Sequence, residues 1–444
     1  MQVRLGVDVG RATTVAVLVA PGGQTVARAV VGSVPGIGDC LRAVLAALPV
    51  GRAGEVDAVA LTTDLERGPL RLRPVATLRI SPPCHPSLGP LAGWPERAVR
   101  AVGPLRRVVG GGSALTGRLL APLDRAGVVD FARQAAAEGV TAFAVSAAGA
   151  LTRPEPELSA AEAIADTVPG AEITLSHELG RSGLRERENT AVLNAALRPW
   201  AARLNDTADR ALRAGGVRAP LFLARNTGGL VSASYFRRYP VLATASTTAS
   251  AVRGAALAAG AARAVVVDVG AEEIRCVSVT DGEAERSDAG PGLGGVDLDL
   301  DRIRADILAR GDGSQAGAEE VAALAAGVQR RTPGAVLLAA GGEPRLVPVR
   351  TPDPATAVAA AAYGAACSEI AVEVDQVAVA GSRAALDRFL GIAGDQAMAR
   401  VVAAGAVPAT ARLAFAVHTP VSYLPEGVHR LRARALGRPT GLPS

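Results

Sequence analysis

Two aspartates stand at the ends of apolar, β-type runs: Leu5-Gly6-Val7-Asp8-Val9-Gly10 and Ala264-Val265-Val266-Val267-Asp268-Val269-Gly270. A carboxylate at a strand end can hold a metal or position a water. A glycine just after it lets backbone N–H groups approach a phosphate. Two such ends, far apart in one chain, predict two similarly built lobes facing each other across a cleft.

Other chemistry is limited by composition. All 47 basic side chains other than histidine are arginines, so the chain has no lysine. That excludes a P-loop lysine and a Schiff-base lysine, and with them Walker-type NTPase and pyridoxal chemistry. Four cysteines, Cys40, Cys84, Cys276 and Cys367, show no CxxC spacing, so no zinc or redox motif is read. Cys84 and His85 are adjacent, which gives a poor nucleophile–base geometry, and a structural role is favoured. The four histidines, His85, His177, His418 and His429, do not assemble a Ser–His–Asp set or a two-histidine metal site.

The net charge of +5 is scattered, and only Arg430, Arg432, Arg434 and Arg438 cluster, read as a solvated tail. There is no basic stripe with interleaved aromatics, so no nucleic-acid partner is expected. The Ala-rich uncharged stretch Pro354 to Ser368 is too short to span a bilayer, which needs ~20 apolar residues. Met1-Gln2-Val3-Arg4 leads straight into a strand without a signal-peptide pattern. The expectation is a soluble, cytoplasmic protein with no membrane partner.

The elements that must position the two aspartates are legible as periodic runs. Strands are predicted at 3–9, 15–19 and 25–31, with Pro21-Gly22-Gly23 as a turn, and at 56–62, 142–146, 173–176 and 221–224. Helices are predicted at 39–47, 124–138, 159–166 and 188–214, with Ser159 and Glu162 in capping-box positions for the third. Residues 74–104, rich in Pro and Gly, read as the least regular part. After 221 come a small-residue helix at 249–262, a hairpin at 264–268 and 275–280, and a helix at 318–329. A strand at 335–339 ending in Gly341-Gly342 and a second small-residue helix at 355–367 follow. The two Ala/Gly helices are expected to cross between the lobes, where small side chains permit close backbone contact. Residues 372–444 read as strand–helix–strand, completing the second lobe or forming a small domain.

This order of strand–Asp–Gly hairpins and crossing helices resembles the actin, heat-shock chaperone and sugar-kinase ATPase superfamily. More narrowly the chain resembles the hydantoinase A / 5-oxoprolinase family, which includes acetone carboxylase subunits. The segments that carry the likeness are Gly6–Thr14, Leu120–Asp124 with Gly139–Ser146, Ser176-His177-Glu178, Arg185–Ala195, and Asn226–Ser232. The resemblance implies an α/β fold of two ribonuclease H-like lobes, actin-like or sugar-kinase-type. The expected divisions are 1–263, 264–371 and a C-terminal extension over 372–444.

It also implies that ATP, with Mg²⁺ or Mn²⁺, activates a small cyclic amide of the hydantoin or 5-oxoproline type for hydrolysis, beside a partner subunit. Asp8 and Asp268 would then be the catalytic and metal-binding carboxylates. Gly10, Thr13, Thr14 and Gly270 would offer donors to phosphates, and Gly341 and Gly342 would border the adenosine. His177, Glu178, Arg185 and Glu186 would serve the substrate. The second loop departs from the family's Asp-Met-Gly-Gly-Thr-Ser-Thr-Asp: it reads Asp268-Val269-Gly270-Ala271-Glu272-Glu273-Ile274-Arg275. Two carboxylates cannot donate to phosphate and repel it by ~1 kcal/mol or more per close pair. Weak or absent ATP affinity is expected unless a divalent cation bridges. The alternative is a non-catalytic relative acting as a structural or regulatory subunit.

Overall fold

The computed structural model of the chain describes residues 3–49, 53–63, 72–181, 183–287, 292–310, 317–349, 353–425 and 427–440. Valine-rich runs open the chain as a meander, β1 (Val3–Val9), β2 (Thr13–Val19) and β3 (Thr25–Gly32), followed by β4 (Val56–Thr63). Four short strands then alternate with helices: β5 (Ala76–Ile80), β6 (Arg106–Val109), β7 (Ala142–Ala147) and β8 (Glu172–Leu175). Next come β9 (Leu221–Ala224), β10 (Leu230–Ser232), β11 (Ala264–Val269), β12 (Glu273–Thr280) and β13 (Glu283–Ala284). The remaining strands are β14 (Arg286–Ser287), β15 (Arg302–Ile303), β16 (Asp306–Ala309), β17 (Val336–Gly341), β18 (Ile370–Val379), β19 (Arg412–Pro420) and β20 (Val428–Gly437).

Three larger sheets result, beside the two-stranded pair β14-β15. The first has nine strands in the order β19-β20-β18-β10-β9-β4-β1-β2-β3, and the second runs β13-β12-β11-β17 with β16 also on β12. The third, β6-β5-β7-β8, is wholly parallel. Its two central strands, β5 and β7, are buried and largely apolar, as the middle of a parallel sheet covered on both faces requires.

The first and second sheets repeat one frame around their aspartates. β1 pairs antiparallel with β2 and parallel with β4, while β11 pairs antiparallel with β12 and parallel with β17. Between the sheets lie the two small-residue helices, Ser246–Ala258 against β11 and β17, and Ala360–Ala366 against β1, β2 and β4. They touch backbone to backbone. A Cβ on Gly254 would lie 1.9 Å from the Ala360 carbonyl oxygen, and one on Gly364 2.0 Å from that of Ser250.

Several local expectations change. The helix predicted from Ser159 runs Glu155–Thr167 with Pro154 at its cap, so Ser159 sits inside it. Residues 74–104 hold β5 and the helix Glu96–Val102. The helix predicted at 355–367 divides into Pro354–Val358 and Ala360–Ala366. The long helix Leu184–Ala214 tolerates Pro199 because Arg73 Nε takes up the Ala195 carbonyl that the missing proline N–H leaves, at 3.0 Å.

The arginine cluster is not a solvated tail. It forms β20, which alternates buried Leu431, Ala433 and Ala435 with ion-paired Arg430, Arg432 and Arg434. Residues 370–437 thereby extend the sheet that begins at Val3, through β10 and β18, and not the sheet of Asp268. Among the described residues no helix is long and apolar enough to cross a membrane.

Candidate functional site at the facing hairpins

Asp8 sits at the end of β1, opposite Val15 on β2 and beside Thr62 on β4. It is largely buried, and the Thr62 hydroxyl donates to its Oδ1. The turn that follows is closed by the Gly10 N–H donating to the Thr13 carbonyl at 3.0 Å. Thr14 is fully buried, and its hydroxyl shares a 2.8 Å hydrogen bond with Ser33, which in turn donates to the Gly10 carbonyl at 2.7 Å. Thr14 thus braces the loop from beneath rather than offering its hydroxyl outward. Thr13 is half-buried at the start of β2.

The second hairpin has the same frame. Asp268 lies opposite Arg275 on β12 and beside Ala340 on β17, and the Gly270 N–H donates to the Glu273 carbonyl at 3.0 Å. In both turns the glycine amide expected to meet phosphate is spent closing the hairpin. Burial pushes the Asp268 carboxyl above the usual carboxylate range, against the pull of the Arg275 charge and a hydrogen bond from Thr248. Gly341 is required where β17 passes this carboxylate. Its φ is +90°, and a Cβ there would lie 2.4 Å from the Val269 carbonyl oxygen and 2.9 Å from Asp268 Oδ1. Gly342 N–H donates to the Val269 carbonyl at 3.0 Å.

The two loops meet. Arg11 of the first forms an ion pair with Glu272 of the second. Glu273 pairs with Arg275 at 2.8 Å. Arg310 braces the second loop from behind, donating to the Gly270 carbonyl at 3.0 Å and to Glu343 at 2.9 Å, while its own N–H donates to the Glu272 carbonyl at 2.7 Å. Each of the two loop carboxylates thus has a guanidinium beside it. Among the described residues no three His, Cys, Asp or Glu side chains converge as a metal cage. The hairpins offer two carboxylates, a set that suits a cation taking its other oxygens from water and phosphate.

The residues expected to serve the substrate lie elsewhere, where the third sheet meets the helix Leu184–Ala214. His177 is held by Glu157, Nδ1 to Oε2 at 2.7 Å. Glu178 accepts from Arg238 at 2.9 Å and from the Tyr239 hydroxyl at 2.8 Å. The Arg185 guanidinium covers Gly93, and Glu186 folds back over Gly183, the residue before the helix. Ser182 lies outside the described residues.

Arg185 is exposed in the first turn, and burial begins with Arg187, Glu188 and Asn189. Arg187 donates to Ser176 (2.9 Å) and to the carbonyls of Arg181 (2.9 Å) and Ala147 (2.7 Å). Glu188 receives a two-pronged contact from Arg79, at 2.8 and 2.6 Å, and a hydroxyl bond from Ser146 at 2.9 Å. Burial raises the pKa of the fully buried Glu157, but the His177 hydrogen bond and the nearby His177 and Arg187 charges outweigh it, holding the carboxyl below its usual range. The stretch is a polar joint between the third sheet and the helix.

Sequence reasoning missed Thr62, Thr248, Arg310, Glu157 and Arg79. Thr62 alone had a local signal, since its strand ends in step with β1.

Residues 187–347 match the family model described as Hydantoinase/oxoprolinase. No curated protein sequence matches the chain. Among solved structures, the chain is similar to the ATP-dependent caprolactamase from Pseudomonas jessenii, with a TM-score of 0.75 at 17% identity over 98% of this chain and 87% of that one. It is also similar to nucleotide-free acetone carboxylase, with a TM-score of 0.65 at 13% identity over 98% and 88%. The fold is thus the two-lobed, actin-like α/β ATPase type.

Proposed function

We propose that this chain, a member of the hydantoinase/oxoprolinase family, carries out an ATP-dependent transformation of a small molecule, with cyclic amide hydrolysis as the specific reading. Both similar structures are described as ATP-dependent enzymes, and one acts on caprolactam, a cyclic amide. The observation that carries the reading is the meeting of the two Asp-Val-Gly loops through Arg11 and Glu272.

In this reading Asp8 and Asp268 hold Mg²⁺ or Mn²⁺, for which a buried, hard oxygen donor suits. The cation would neutralise phosphate charge during transfer. Arg11 leaves Glu272 to meet a phosphate, a task its planar guanidinium fits. Gly341 and Gly342 keep the adenosine side of the cleft open, and Thr14 holds the first loop in shape. His177, Glu178, Arg185 and Glu186 act by joining the third sheet to the cleft lobe, and a partner subunit completes the substrate site.

The test is calorimetric titration with Mg-ATP. Binding should be measurable and disappear in Asp8→Asn and in Asp268→Asn, both still folded. At saturating nucleotide, about 100 times its Kd, binding would stabilise the protein by ~2.7 kcal/mol. Silence with ATP, ADP and GTP, with either cation, would instead favour a non-catalytic subunit, a reading that the acidic second loop supports.

A further inference from the structure

At the other end of the second sheet from Asp268 is a cavity of about 520 Å³ whose walls include Arg263, Arg286, Arg331, Arg432 and Arg434. Arg263 precedes β11 and Thr332 precedes β17, so the cavity lies a strand length, about 15 Å, from the hairpin turns. One wall comes from the second sheet and its flanks. The other comes from β19 and β20, which belong to the first.

The lining itself is cationic. Five guanidiniums line the cavity against two carboxylates, Glu283 and Glu285. Glu283 is shared by Arg434 at 2.8 Å and Arg286 at 3.6 Å, and Glu285 is taken by Arg304 at 2.9 Å. Arg432 and Arg286 divide Glu373 between them, and Asp301 lies 3.7 Å from each. Arg331 has Asp306 at 2.7 Å. Arg263 is exposed and has no carboxylate partner among the described residues. Forked guanidiniums that converge on one cavity recognise oxyanions two prongs at a time. The volume suits a small molecule.

We infer that this cavity is a binding site for a small polyanion bearing two or more phosphoryl or carboxylate groups, which would bridge the two lobes behind the cleft. The site is separate from the hairpins and stands whether or not they bind nucleotide.

The probes are pyrophosphate and citrate, titrated by calorimetry at one fixed ionic strength against the full chain, Arg263→Gln, Arg432→Gln and Asp268→Asn. Saturable binding of at least one probe is expected. It should weaken roughly tenfold or more in each arginine variant, the scale of one charge-assisted hydrogen bond, and persist in Asp268→Asn. Binding of pyrophosphate alone assigns phosphoryl ligands, and of citrate alone polycarboxylates. Arg263 is exposed, so Arg263→Gln should melt with the parent protein and report binding only. No saturable binding of either probe overturns the inference. So does binding that Asp268→Asn abolishes while Arg263→Gln leaves it unchanged.

Discussion

The hairpins around Asp8 and Asp268 share a backbone and differ in charge. Each places its aspartate between an antiparallel and a parallel neighbour and closes its turn with the same 3.0 Å glycine hydrogen bond. The first loop carries Arg11 where the second carries Glu272, and these two residues pair. Read alone, the acidic second loop looks like a broken phosphate site. Beside the basic first loop it is half of a neutral contact. Substitutions in facing loops have to be read as a pair, since the field at the cleft is their sum.

The largest effect is expected from breaking the frame that both hairpins share. Gly364→Val drives a side chain into the Ser250 carbonyl and should cost ~3 kcal/mol or more in denaturant unfolding. Unchanged stability would show that the helices can slide apart and that the hairpins are held independently.

Next comes the charge difference itself. Ala271→Gly, Glu272→Thr and Glu273→Ser together should tighten Mg-ATP by ~1–3 kcal/mol, the scale of hydrogen bonds to charged groups. The gain should shrink when Arg11→Ala is added, because the freed guanidinium supplies part of it. Tighter binding by the natural loop than by the restored one would make the glutamates ligands themselves.

A smaller effect separates the aspartates by pH. The folded pKa of Asp268 is raised, so its contribution to stability is full below the unfolded carboxylate pKa and is lost as pH rises through the folded one. Asp268→Asn should therefore melt higher than the parent at neutral pH, with the difference closing in acid. A parent that melts higher at neutral pH would mean that the buried charge is better satisfied than its neighbours suggest.

The smallest effect belongs to the contact that joins the loops. Arg11 and Glu272 are 41% and 65% exposed, and a double-mutant cycle through alanine should give a coupling under ~1 kcal/mol, falling with salt. A larger coupling would make the pair a latch on the cleft.

Much of the fold was legible because its signals are local. Val3–Val9, Ala264–Val269 and Val336–Gly341 are apolar runs bounded by glycine, and both small-residue helices stand out by composition. β20 was misread because arginines at every second position drew attention from the alternating Leu431, Ala433 and Ala435 that form its buried face. The polar joint around Arg187 and Glu188 was out of reach. Its partners Arg79, Ser146, Glu157 and Ser176 come from four other elements and meet only in space. Pairing between Arg11 and Glu272 spans the chain in the same way, so the sequence displays the substitutions but hides their compensation.

The interleaved first sheet sets the order in which the molecule can be made. β10 receives its outer neighbour, β18, only after residues 264–341 of the second sheet have been synthesised. A nascent chain therefore carries an unfinished sheet edge while an entire lobe passes through the ribosome, and such an edge invites mispairing. The second lobe, whose pairings all lie within residues 264–341, can close on its own first. Maturation then ends with the first sheet clasping shut around a lobe already formed.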